Sequence, residues 1–259
     1  SGIRGAAIAT VSAQVIALLW QLKQFNNANE LLHFRRGIFR LKRKIVFDSL
    51  AIGMSPFLMN LAACLIVILI NQGLKKYGGD LAIGAFGIVN RLVFIVVMIV
   101  MGLNQGMQPI AGYNFGAKLY DRVNKVLKLT IIYATCVTTF GFLVGMLAPN
   151  LVVGIFTSDA ELTELSATGL RITVMFFPII GFQMVTSNFF QSIGMAGKAI
   201  FLSLTRQMLI LLPCLLILPH FFGVAGVWYS MPVSDLLASL IALVMLVYQF
   251  RKFKTAAAH

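Results

Sequence analysis

An all-α integral membrane bundle of about seven transmembrane helices is the architecture this sequence predicts, on three observations. Of its 259 residues, 59% are hydrophobic and 11% charged, against about 45–50% and about 25% in soluble domains. The mean hydropathy is +0.90, which excludes an aqueous enzyme domain, a disordered segment and a secreted disulfide scaffold. The apolar residues come in runs of the roughly 20 residues that a helix needs to cross a hydrocarbon core, not in the short alternating segments of a barrel. Lipid offers backbone groups no hydrogen bonds, so a spanning chain of this kind must be helical.

The first span is read at 3–20, and the polar segment 21–47 that follows it reads as a linker between two bundles. The second span, 48–71, opens on Asp48, which suits an N-cap or a partner for the helix dipole. Asp80 stands just before the third, 81–111, and the fourth covers 123–148. After Pro149, the apolar piece Leu151 to Phe156 is too short to cross and is expected at the interface. Ser158, three residues before Glu161, forms a capping-box pattern that opens the fifth span, 162–193. The sixth is 198–218 and the seventh 223–250, each boundary good to a few residues. The first span begins almost at the first residue and the tail 251–259 ends TAAAH like a fusion scar, so a fragment is expected. No second copy of the unit formed by the last six spans is found in the chain.

Net charge is +13, and in a membrane protein the question is where it lies. The linker holds Lys23, Arg35, Arg36, Arg40, Lys42, Arg43 and Lys44. If it is cytosolic and each run crosses once, that side carries fifteen basic residues against three, Arg4, Lys75 and Lys76, on the other. This sets the orientation, with linker and C-terminus cytosolic. FRRGIFRLKRK reads first as that orientation signal and second as a site for anionic lipid headgroups; nucleic acid is excluded because the charges flank spans. Cys64, Cys136 and Cys214 lie in apolar runs with no CxxC pair, and read as small buried hydrophobes.

Charges at membrane depth cost at least a few kcal/mol each, which makes them functional candidates. Arg91, Arg171, Arg206 and Asp235 qualify. The sixth and seventh spans are joined by a short loop and should be antiparallel, which puts Arg206 and Asp235 at similar depth. One reading is a permanent structural pair; the other makes Asp235 a protonation or cation site gated by Arg206. A substrate cavity needs polar groups among apolar walls. Asn60, Asn90, Gln183, Thr186 and Asn188 are the candidates for it beside Arg91, with Asn71, Gln105 and Gln191 as further inward-facing amides. Each of these amides also has a plainer reading as an interhelical hydrogen bond. The 12 methionines and 21 phenylalanines would suit apolar cations but read mostly as packing.

Pro56, Pro178, Pro213 and Pro232 fall inside spans, where each removes a backbone hydrogen bond and allows bending. Gly102 and Gly106 make a GxxxG face that reads as close packing. An intramembrane enzyme would need a nucleophile, base or metal set at one depth. His33, His220 and His259 all lie away from Asp235, so neither an enzyme nor a metal or organic cofactor is expected.

At Gln105 to Lys118 the chain reads QGMQPIAGYNFGAK, which closely resembles the end of the eighth helix in the multidrug and toxic compound extrusion (MATE) family. GIRGAAIAT (Gly2–Thr10) is similar to the closing helix of that family's first lobe. QSIGMAGKA (Gln191–Ala199) resembles its tenth helix and following loop, and GVWYSMPVSD (Gly226–Asp235) its last helix. The resemblance covers nearly the whole chain. It implies that 1–20 is the last helix of a missing N-terminal lobe, and that 48–250 is the second six-helix lobe of a two-lobe transporter. It also implies export of cationic or amphipathic drugs and toxic compounds, driven by a proton or sodium gradient with alternating access, in a bacterial inner membrane. The second, third and fifth spans would then line half of the cavity. Relatives that bind the coupling cation with carboxylates use the second and fifth spans. Here the second has Asn60 and no acid beyond Asp48, and the fifth none beyond Glu164. The resemblance therefore favours a proton over sodium, taken by an acid in the absent lobe. Within the same superfamily a flippase for lipid-linked oligosaccharides would need a cationic cavity, for which Arg91, Arg171 and Arg206 are the available side chains. A non-transporting membrane scaffold is the third reading.

Overall fold

The structure, a computed structural model, describes residues 2–27 and 41–257. Arg35, Arg36, Arg40, His33 and His259 lie outside the described residues, as do the side chains of Asp48 and Pro56. The chain divides into two units, 1–53 and 54–259. In the first, α1 (Gly2–Phe25) is one uninterrupted helix, exposed from Ala7 onward.

The second and third predicted spans are joined in α2 (Arg43–Gly116), kinked at Gly79. A straight helix of the 57 residues from Asn60 to Gly116 would be about 85 Å long, far more than one hydrocarbon core. The kink resolves this. Gly79 has φ 66° and ψ −163°, a backbone region that only glycine enters at little cost. The fourth span is α3 (Tyr120–Leu147), and the interfacial piece after Pro149 is the short helix α4 (Pro149–Val153). The fifth span is α5 (Ala160–Val174) and α6 (Phe177–Ser192), bent by 55°. In the sixth, α7 (Ala196–Leu204) runs into a π-helical stretch, Thr205–Leu211, and then α8 (Leu212–Phe222). The seventh is α9 (Val224–Ala257), which continues past the predicted end at 250. Among the described residues four helices are long and apolar enough to cross a membrane, five with the bent pair taken as one span, counting 60–116 once.

Close contacts at glycines show how the spans pack in the second unit. Gly141 meets Val96 and Phe177, and Gly181 meets Ala134 and Thr138, so α3 lies antiparallel to the third span and to the fifth. Gly73 and Gly78 meet Val227 and Val224, and Gly226 meets Leu218 and Pro219, so α9 is antiparallel to the second span and to α8. The third and fifth spans run parallel: Gln108 reaches Asn188, and Gly112 lies against the Ser192 carbonyl four residues further along both. Two apolar cores stack along the bundle. One, around Leu74, Ala85, Val89, Val174 and Trp228, lies toward the Gly79 end. The other, around Met107, Leu127, Phe189, Leu202 and Leu246, lies toward the end where the third span turns into α3.

Two expectations need correction. The fifth span is capped by Asp159, not Ser158: Asp159 has the extended N-cap backbone, and its side chain accepts from the Leu162 amide at 2.9 Å. Two adjacent capping residues compete there, and Asp159 is the one three positions before a free amide. The cysteines are not buried: Cys64 and Cys136 are exposed and Cys214 is half-buried. In a bundle solvated by lipid, a small apolar side chain has no need of an interior place.

Candidate functional site

The π-helical stretch places Arg206. Wider turns at Thr205–Leu211, in which the Leu212 amide reaches back to the Gln207 carbonyl, shift the side-chain register of the sixth span before Pro213. Stretches of this kind recur at functional sites. Arg206 turns toward α9, where its Nε donates to Asp235 Oδ1 at 2.7 Å and its Nη2 lies 2.6 Å from the same oxygen in an ion pair. The two partners differ in burial. Asp235 is 6% exposed in its side chain, Arg206 32%, so the carboxylate belongs to the interior and the guanidinium to its edge.

Hydroxyls line α9 around the pair, each bonded to its own helix: Ser230 to the Gly226 carbonyl, Ser234 to Met231 and Ser239 to Asp235, at 2.6–2.7 Å. On the sixth span Thr205 Oγ1 and Gln207 Oε1, the sequence neighbours of Arg206, are buried without a partner among the described residues. A neutralised charge pair thus sits beside unused polar atoms. Such a cluster can reorganise without exposing a bare charge to an apolar phase.

The predicted cavity residues do not form one cluster. Asn60, Asn90 and Arg91 are exposed on α2, and Arg171 on α5. Gln183 and Thr186 are buried inside the lobe; Thr186 donates to its own Phe182 carbonyl at 2.8 Å, a hydrogen bond local to the helix. Asn188 is half-buried, donates to the Met184 carbonyl at 2.9 Å and accepts from Gln108 at 3.5 Å. Gln108 escaped notice as a site residue although it lies in the QGMQPIAGYNFGAK motif; its spacing of four from Asn104 was the available signal. Asn104 is 2% exposed, with neither side-chain polar atom partnered among the described residues. A second knot ties Lys198 to the buried Gln249 at 2.5 Å, with its ammonium 5.3 Å from the Phe190 ring. No group of three or more His, Cys, Asp or Glu side chains that could hold a metal occurs among the described residues.

A family model described as MatE matches residues 51–217. Multidrug export protein MepA of Staphylococcus haemolyticus (strain JCSC1435) is 27% identical over 251 residues, 95% of this chain and 54% of its own length. The chain therefore spans about half the length of the curated relatives it matches. Among solved structures, a ligand-bound complex of the MATE multidrug transporter DinF-BH superposes with a TM-score of 0.83 at 36% identity, over 97% of this chain and 56% of that one. An outward-facing multidrug resistance MATE family transporter of the MOP superfamily gives 0.84 at 21% identity, over 97% and 57%, which speaks to the fold alone.

Proposed function

The chain belongs to the MatE family, and from that premise we propose that it is the C-terminal lobe of a secondary active exporter of cationic or amphipathic compounds. The supporting observation is the match to a multidrug export protein along 95% of this chain. In this reading 1–20 closes the preceding lobe, 21–47 is a basic cytosolic linker and 48–250 is the transporting half. The linker and the C-terminus face the cytosol of a bacterial inner membrane, as the fifteen-to-three charge asymmetry favours.

Export runs by antiport with alternating access, and the coupling ion is a proton, with sodium as the alternative. The buried pair supports a gating part for this lobe. Arg206 holds Asp235 by a hydrogen bond and an ion pair to a single oxygen, and protonating the carboxylate would remove the charge that binds the guanidinium. The sixth and seventh spans could then separate without leaving a bare carboxylate in the interior. The flippase reading is weakened by the same contact, since Arg206 is committed to Asp235 and only Arg91 and Arg171 remain of the three arginines that reading needs.

The test is efflux of a fluorescent organic cation from vesicles holding the complete native polypeptide, with an imposed proton or sodium gradient. Proton-driven efflux that falls in Asp235→Asn at equal expression is expected. Efflux driven equally by sodium alone, or undiminished in Asp235→Asn, would overturn the coupling and gating parts.

A further inference from the structure

We propose that Asn104 and Gln108, one turn apart on the third span, are exchangeable partners for Asn188, so that the third span has two rotational positions against the fifth. The exchange rests on the alternating-access reading for its use in transport, and its existence is tested without transport.

Asn104 is the residue that calls for a second position. It is 2% exposed, and neither its amide nitrogen nor its amide oxygen has a partner among the described residues. Both atoms are closed off on every side, which leaves no place for a bridging water. A buried amide left in this way costs free energy that an apolar residue in its place would not. Its helix face is otherwise apolar: Val100, Met107 and Ala111 pack in one core with Val185 and Phe189 of α6. An asparagine among them is accounted for if a second arrangement of the spans satisfies it.

The partner for that arrangement is close by. The third and fifth spans run parallel at a constant offset, Gln108 meeting Asn188 and Gly112 meeting the Ser192 carbonyl, which sets Asn104 level with Met184. Asn188 reaches down to that level, since its Nδ2 donates to the Met184 carbonyl at 2.9 Å. Its Oδ1 is held loosely by Gln108, at 3.5 Å, against about 2.9–3.0 Å for an ordinary bond of this kind. Residues four apart on a helix differ by about 40° around its axis. A turn of that size carries the Asn104 Nδ2 toward the oxygen that Gln108 leaves. It also carries Gln108 toward the side on which Met101, Gln105 and Pro109 are exposed, where its amide is no longer confined. Little obstructs the turn at this seam: Gly112 places no side chain against the Ser192 carbonyl, and nothing lies within 4 Å of where a Cβ would stand at Gly102 or Gly106. Repacking of Val100 and Met107 opposes the gain at Asn104, which is what gives an element two discrete positions instead of a continuous drift.

Nitroxide labels on the complete native polypeptide in nanodiscs test this, at Met98→Cys and Val244→Cys, both exposed, with Cys64, Cys136 and Cys214 changed to Ser. Asn104→Leu removes the inner amide and should keep the label distance of the unaltered protein. Gln108→Leu removes the outer one and should move that distance by about 5 Å. The same distance in both variants overturns the exchange. Should either variant fail to insert, disulfide trapping decides: Asn104→Cys with Asn188→Cys should close as well as Gln108→Cys with Asn188→Cys, and closure of the second pair alone overturns the exchange. Efflux measured on the leucine variants separates this from the transport reading. Distances that differ while efflux is undiminished uphold the exchange and remove its part in transport; efflux lost at one unchanging distance removes the exchange and leaves the transport reading in place.

Discussion

The fifth and seventh spans each carry an internal proline, and only the fifth breaks. Pro178 sits in the first turn of α6, after Phe176 at φ −109° and ψ 17°, and the halves meet at 55°. Pro232 lies inside α9, which runs unbroken from Val224 to Ala257. The fifth span begins a new helix, with the Phe176 carbonyl accepting from the Ile179 and Ile180 amides, and a proline in a first turn removes a donor that was already without an intrahelical partner. The seventh is held on either side of its proline, by Gly226 against the Leu218 carbonyl and by Asp235 on Arg206. The sixth takes another course, widening into π turns just before Pro213. Proline permits a break, and the neighbours of the helix decide whether it happens.

The largest effect expected is on the hold over the seventh span. Arg206→Ala strands a buried carboxylate and should cost about 3–5 kcal/mol. Asp235→Ala leaves a guanidinium that is already a third exposed and should cost less. Thermal stability in detergent checks the order; equal losses would mean that the pair does not anchor α9. Next is Gly226→Ala, whose new methyl would collide with the Leu218 carbonyl oxygen. It should destabilise the sixth and seventh spans by about 1–3 kcal/mol, seen as faster amide exchange at both ends of that turn. On the fifth span, Asp159→Ala removes the N-cap bond to Leu162 and should cost about 1 kcal/mol, with exchange rising in the first turn of α5 and not in α6. Smallest is the proline pair. Spin-label distances across the fifth span should keep the bend in Pro178→Ala, because Gly181 remains pressed on Ala134. Pro232→Ala should leave α9 unbroken and shift stability by less than about 1 kcal/mol. A fifth span that straightens in Pro178→Ala would reverse the comparison and make proline the cause.

Apolar run length made the spans legible, because a bilayer imposes one minimum length on every crossing. The proximity of Arg206 and Asp235 was legible for a related reason, since a short loop between two runs of similar length sets both residues at one depth. Finer features had no such rule behind them. The π turns add a single residue to the register, too little to disturb the pattern over a span. The bend in the fifth span falls just before the place where α3 closes on Gly181, a contact remote in sequence. Exposure was the hardest to read, because lipid and protein interior accept the same side chains. Cys64 and Cys136 therefore face outward while Gln183 and Thr186 face inward, and the cavity list drawn from residue type mixes surface with core.

The parallel alignment of the third and fifth spans bears on how the lobe is assembled. Gln108 and Asn188 are 80 residues apart, and the whole of α3 has to cross back before they can meet. A ribosome feeding spans into the bilayer one after another delivers the third and fourth as a ready hairpin, stable through neighbouring contacts. The fifth arrives later and must find its register against both. Synthesis halted between α3 and α5 should therefore yield an inserted hairpin whose Gly112 and Gly145 surfaces, which meet Ser192 and Val174 of the fifth span, stay open to lipid, a defined target for the membrane's quality-control proteases until the fifth span covers them.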